Sequence, residues 1–103
     1  MIQGKKVILQ GHILVPKDEL TFIQAALLEH IEQTRNEPGC ITFKIDQDKS
    51  DQCKFYVYEE FINSAAFEYH QRRAAQSAWG AASQNVTRHY QITQDDIGSK
   101  LLD

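Results

Sequence analysis

Between Glu37 and His70 the chain passes through a helix stop, a strand, a charged turn, a second strand and a helix start. Few folds accommodate that order in so short a span. Glu37-Pro38-Gly39-Cys40 is the stop, because proline disfavours helical backbone at the residue before it and glycine frees the exit. Strand signals run from about Cys40 to Ile45 and from Lys54 to Ile62, separated by the polar run Asp46 to Gln52. Ile41, Phe43 and Ile45 share one face of the first. In the second, Phe55, Val57, Glu59 and Phe61 alternate onto one face, so a carboxylate points where its neighbours place the core. Asn63 or Ser64 is suited to cap the next helix, whose inward set is Ala66, Phe67, His70 and Ala74. An acid and an imidazole are thus both aimed inward.

The rest of the chain supplies their neighbours. Lys5 to Val15 reads as a strand with Val7, Leu9, Gly11, Ile13 and Val15 on one face and Ile8, Gln10, His12 and Leu14 on the other. Both faces are apolar at their ends, which predicts a strand covered on both sides, with His12 on a partly buried face. Pro16-Lys17-Asp18 punctuates, and Asp18 is the expected cap of a helix in which Leu20, Ile23, Leu27, Ile31 and Thr34 form the apolar stripe. Phe22, Ala26 and His30 widen that stripe, and His30 and His89 read as peripheral. Beyond His70, Arg72 and Arg73 read as a solvated helix face. Ala74 to Ser83 forms a small-residue helix anchored by Trp79, with Gly80 as its weak point. Val86 to Thr93 is the final strand.

Strand, helix, strand, strand, helix, strand is the ferredoxin-like α+β plan, a four-stranded antiparallel sheet with both helices on one face. The uncovered face presents Tyr56, Tyr58 and Ile62 with Ile8 and Leu14. An apolar face of that extent predicts a homodimer in which two sheets meet. With 103 residues the chain has room for one domain and one core, about 5–93. A tail over 94–103 is held only by Ile97, Leu101 and Leu102.

A net charge of -3 gives no support for nucleic acid as a partner, and no apolar run approaches a membrane span. The leading residues read as a strand entry, so a cytoplasmic location is expected. A hairpin turning near Lys49 sets Cys40 opposite the region of Tyr58 and Cys53 opposite that of Ile45, so two free thiols are expected. The histidines, at 12, 30, 70 and 89, are scattered, and no metal site is expected.

Glu37-Pro38-Gly39-Cys40, then Phe55-Tyr56-Val57-Tyr58-Glu59-Glu60-Phe61, then His70 and Trp79 at their separations, resemble the antibiotic biosynthesis monooxygenase family over nearly the whole chain. The resemblance implies a dimeric α+β barrel with a pocket between sheet and helices in each subunit. It matches Glu59 to the family's strand glutamate, His70 to its helix histidine and Trp79 to a position usually aromatic. Many members carry a second histidine five residues after the first, where this chain has Ala75. Haem-degrading relatives supply an asparagine from the first strand, where the polar residues here are Gln10 and His12.

Relatives that oxidise quinols or phenols with dioxygen, without metal, flavin or haem, imply a small aromatic substrate and no cofactor. That chemistry needs a base and a dry pocket in which a phenolate can be held. His70 suits the base and Glu59 its orientation, while Trp79, Tyr58 and Phe67 are candidates to stack on a ring and His12 for a further polar contact. Two alternatives stand beside this reading. One is an isomerase or other proton-transfer enzyme on a small oxidised carbohydrate. The other is a non-catalytic ligand-binding dimer, in which Glu59 and His70 only satisfy each other in the core.

Overall fold

In the computed structural model, which describes residues 5–95, the first strand β1 (Lys6–Leu14) buries Val7, Leu9 and Ile13 on one face. β2 (Cys40–Gln47), β3 (Lys54–Phe61) and β4 (Thr87–Asp95) complete an antiparallel sheet in the order β2-β3-β1-β4. Helices α1 (Leu20–Arg35), α2 (Ser64–Gln76) and the short α3 (Ala78–Ala82) supply the other half of the core, against one sheet face. This is the ferredoxin-like α+β architecture read from the order of elements.

Register follows the alternation of apolar residues. Leu9 lies opposite Glu59 on β3 and Ile92 on β4, so a buried carboxylate and a core leucine share the helix-covered face. A slip of one residue would exchange the two faces. Gly11 lies opposite Tyr90 with φ +156, and a Cβ there would overlap the carbonyl oxygen of His89. Gly39 has the same role at the helix stop, where any Cβ would overlap Ala66 of α2. The stop motif therefore seats α2 as well as ending α1.

Several local expectations change. α1 is preceded by a single 3-10 turn, Lys17–Glu19, and its N-terminal residue is capped by no side chain, so Asp18 is not the cap. Asn63 caps α2, its Oδ1 accepting from Ala66 N at 2.8 Å. The helical stretch after Ala74 breaks at Ser77, not Gly80. Ser77 has extended dihedrals, and its hydroxyl donates to the Ala74 carbonyl at 2.7 Å, diverting the backbone from helix. A Cβ on Gly80 would overlap the Ala75 carbonyl, so its lack of a side chain lets α3 fold tightly back on α2.

The hairpin also closes later than the charge pattern suggests. Cys40 pairs with Phe61 and Lys44 with Tyr58, because Asp48 anchors the turn by accepting from Ser50 N and Asp51 N. A bulge between Cys40 and Thr42 leaves Ile41 half exposed rather than in the core face. Both cysteines are free.

The sheet's other face carries no helix. Tyr56 and Leu14 are exposed there, as the sequence led us to expect, whereas Ile62 lies past the end of β3, exposed beside Gly39 and Ala66 rather than on that face. β1 is thus covered on one side only. Among the described residues no helix is long and apolar enough to cross a membrane. The leading residues 1–4 and the tail residues Ile97, Leu101 and Leu102 lie outside the described residues.

Candidate functional site

A cavity of about 400 Å³ opens between the sheet and the helices. Leu9 and Glu59 line it from the sheet, His30 from α1, His70, Ala74 and Ala75 from α2, and Trp79 from α3. Gln71, Gln84, Arg88 and Tyr90 also line it. The inward period of β3 brings Glu59 here, and the helical period of α2 brings His70.

The carboxylate within hydrogen-bond reach of His70 is not the expected one. His70 Nδ1 lies 3.2 Å from Glu37 Oε2, whereas its Nε2 lies 3.7 Å from Glu59 Oε1. Glu37 comes from the helix stop and is buried together with His70. Its Oε2 also accepts from Arg73 Nε, and Arg73 continues to Thr34 Oγ1 at 3.0 Å and Gln33 Oε1 at 3.1 Å. Arg73, read from sequence as solvated, instead lies along the helix surface and closes this buried network. An Nδ1–H donated to Glu37 leaves Nε2 as the open acceptor of the neutral ring. Burial lowers the pKa of His70, against the opposing pull of Glu37, so the ring is neutral near pH 7.

Glu59 behaves oppositely. Burial, reinforced by the charge of Glu37, pushes its carboxyl up to about 8, so it keeps its proton at neutral pH. Its Oε1 has no hydrogen-bond partner. A neutral base and a neutral acid therefore face the same space, an arrangement suited to moving a proton or holding an oxyanion.

His30 is the residue whose placement the sequence reading misjudged. It is 5% exposed and stacks on Trp79 with ring centroids 5.2 Å apart at 14°. Its ring centre is 5.6 Å from that of His70, so two of the scattered histidines meet here. Burial and the nearby His70, Arg73 and Arg88 drive its pKa down to about 3, and its buried Nδ1 has no partner. The useful signal was its position at the edge of the α1 stripe. Tyr90 lines the cavity with its phenol pushed up to about 12 by burial and by Glu59.

Of the other expected contacts, Trp79 lines the cavity, while Phe67 packs on Phe61 at 5.7 Å without reaching it. His12 and Tyr58 lie on the opposite sheet face, because β1 and β3 alternate and Leu9 and Glu59 hold the inner one. The structure does not bring these two to the cavity. His12 instead stacks on His89 across the β1–β4 pair, with centroids 4.7 Å apart. Among the described residues no three His, Cys, Asp or Glu side chains group as metal ligands.

The model of the antibiotic biosynthesis monooxygenase family matches residues 6–82. A protein of Nitrosomonas europaea assigned to those monooxygenases superposes with a TM-score of 0.72 at 20% identity, over 93% of this chain and 92% of that one. One from Deinococcus radiodurans with the same assignment gives 0.66 at 25% identity, over 89% and 92%. An uncharacterised protein of Synechocystis sp. is 33% identical over 64 residues, 62% of this chain. That match spans only 44% of the length of the Synechocystis protein.

Proposed function

The chain belongs to the antibiotic biosynthesis monooxygenase family, and from that premise we propose that it oxidises a quinol or phenolic ring with dioxygen, using His70 Nε2 as the base. The observation that carries the proposal is the cavity itself, which presents a neutral imidazole and a protonated carboxyl on one open face. Glu37, held by Arg73, fixes the tautomer of His70 and stabilises the imidazolium that forms when the ring takes a phenolic proton. Glu59 donates a hydrogen bond to the resulting phenolate oxygen, as a carboxyl kept neutral by its surroundings is able to do. The electron-rich anion then reduces dioxygen: hydroquinone and O₂ give hydroxyquinone and water, with one oxygen atom entering the ring. No cofactor is required by that balance. Trp79 supports a flat ring by stacking.

The bare sheet face, with Tyr56 and Leu14 exposed, supports a homodimer through that surface, and sedimentation equilibrium measures it directly. Oxygen consumption with hydroquinone-type substrates in metal-free buffer tests the chemistry. Wild type is expected to consume oxygen and His70→Ala to lose at least about a hundredfold in rate. No uptake by wild type, or full activity in the alanine variant, removes the mechanism. Turnover of an oxidised carbohydrate without oxygen would point to proton transfer alone by the same base.

A further inference from the structure

We propose that Arg88 is a substrate-binding residue that pairs with an acidic substituent, so that the cavity takes a phenolic ring carrying a carboxylate in preference to a neutral one. The phenolic ring rests on the oxygenase reading above, but the anion contact at Arg88 does not. Arg88 lies opposite Ile13 on the helix-covered face of the sheet and lines the cavity. Its Nη2 donates to Ser83 Oγ at 2.8 Å, and its Nη1 donates to the carbonyls of Ser83 and Val86 at 3.4 Å. Ser83 is buried one helical turn after Trp79, to whose carbonyl its N–H donates at 2.9 Å. The guanidinium is therefore held in place at the cavity. These contacts use at most three of its five N–H groups, and the side chain is exposed, so the remaining donors are reachable.

The charge on Arg88 has no counterpart. Among the described residues the ion pairs are those of Lys6, His70 and Arg73, and Arg88 takes part in none. The other titratable groups lining the cavity are uncharged near pH 7, the two histidines because their pKa values are lowered, Glu59 and Tyr90 because theirs are raised. Glu37, bonded to His70 from behind, is already matched by Arg73. The lining thus carries one fixed positive charge, and its field is felt by His30 and Tyr90, which line the same space. A neutral ligand would leave that charge unanswered beside a partly dry cavity, whereas a carboxylate matches the fork of donors that a guanidinium presents.

The test measures anaerobic binding, so it is blind to turnover. Trp79 is the only tryptophan and lines the cavity, which makes its fluorescence a report of occupancy. The probes are a hydroquinone with a carboxylate directly on the ring and one with the carboxylate on a methylene, each beside its own neutral amide. At low salt at least one acid is expected to bind wild type about tenfold more tightly than its amide, the worth of roughly one hydrogen bond to a charged group. Arg88→Gln is expected to abolish that preference and leave the amides within about twofold, and Arg88→Lys, which keeps the charge without the fork, to retain part of it. An unchanged acid-to-amide ratio in a folded Arg88→Gln protein overturns the proposal, as does the absence of any acid preference in wild type. Should the glutamine variant fail to fold, ¹⁵N-arginine NMR of wild type decides. The side-chain resonance of Arg88 must move with the acid and not with its amide, and a still resonance overturns the assignment. Acid-selective binding without oxygen uptake would refute the oxygenase chemistry alone and leave Arg88 as assigned.

Discussion

Replacing Glu59 by glutamine removes an ionisable group from the core with almost no change of shape, and the consequence for stability has a definite sign. Glu59 is 5% exposed, and burial with the charge of Glu37 moves its pKa from 4.5 to about 8. Between those values the folded protein retains a proton that the unfolded chain has released. Stability therefore falls as pH rises through that window, with no cost below it and the full cost above. The window spans about 3.5 pH units at about 1.4 kcal/mol each, a ceiling of about 5 kcal/mol. His30 and His70 act in the opposite sense. Their pKa values lie below the ordinary 6.5, that of His30 at about 3, so each destabilises the fold as pH drops under 6.5. Above 6.5 these terms vanish and Glu59 dominates, so wild type should lose about 2 kcal/mol on going to pH 8. Urea unfolding at about pH 4.5, 6.5 and 8.5 measures the whole curve. Glu59→Gln should gain about 2–5 kcal/mol on wild type between the lowest and highest pH, because the alkaline loss disappears. Parallel curves for the two proteins would refute the reasoning, since Glu59 would then ionise in the fold as it does in the unfolded chain.

The same groups shape activity. The rate constant kcat/KM should rise with a limb below pH 6.5 as His70 loses its proton, and fall with a limb near 8 as Glu59 ionises; Glu59→Gln should lack the second limb. Glu37→Gln leaves Arg73 without its carboxylate and His70 without a charged anchor. Steady-state kinetics should show a loss of about tenfold to a hundredfold, and urea unfolding a loss of about 1–3 kcal/mol. Gly11→Ala sets a Cβ on the carbonyl of His89 at a positive φ, so β1 and β4 must separate. Thermal unfolding should register about 2 kcal/mol or more of destabilisation, and amide exchange should localise the opening to β4.

The architecture and half of the site were legible because periodicity reports directions. Alternation along β3 aims Glu59 inward with Phe55, Val57 and Phe61, and the helical period of α2 aims His70 the same way. Periodicity says nothing about reach or about which neighbour arrives. Glu37 was accounted for by the backbone role of its Pro-Gly stop, which hid the work of its side chain. Arg73 lies three residues after His70 and looks solvated, yet its long stem carries the guanidinium back to Glu37 and Thr34. His30 sits at the rim of the α1 stripe, and only the fold of α3 brings Trp79 onto its ring. For His12 the opposite held. Alternation with Leu9 already put it on the outer face, and the apolar ends of β1 obscured that.

The two carboxyls around His70 show how one side-chain type takes two roles. Ionising both within reach of one imidazole in a dry interior is costly, and the chain breaks the symmetry with a single cation. Arg73 bonds Glu37, and the charge so fixed raises the neighbouring Glu59. The stop motif that ends α1 therefore does more than turn the chain. By placing Glu37 between α1 and α2 it locks the tautomer of His70, helps hold α2 in place through Arg73, and adds to the burial that keeps Glu59 protonated beside the base. A chain with aspartate at 37 would fall short of both partners. It would retain the fold's outline and lose the acid–base polarity together with the orientation of the imidazole.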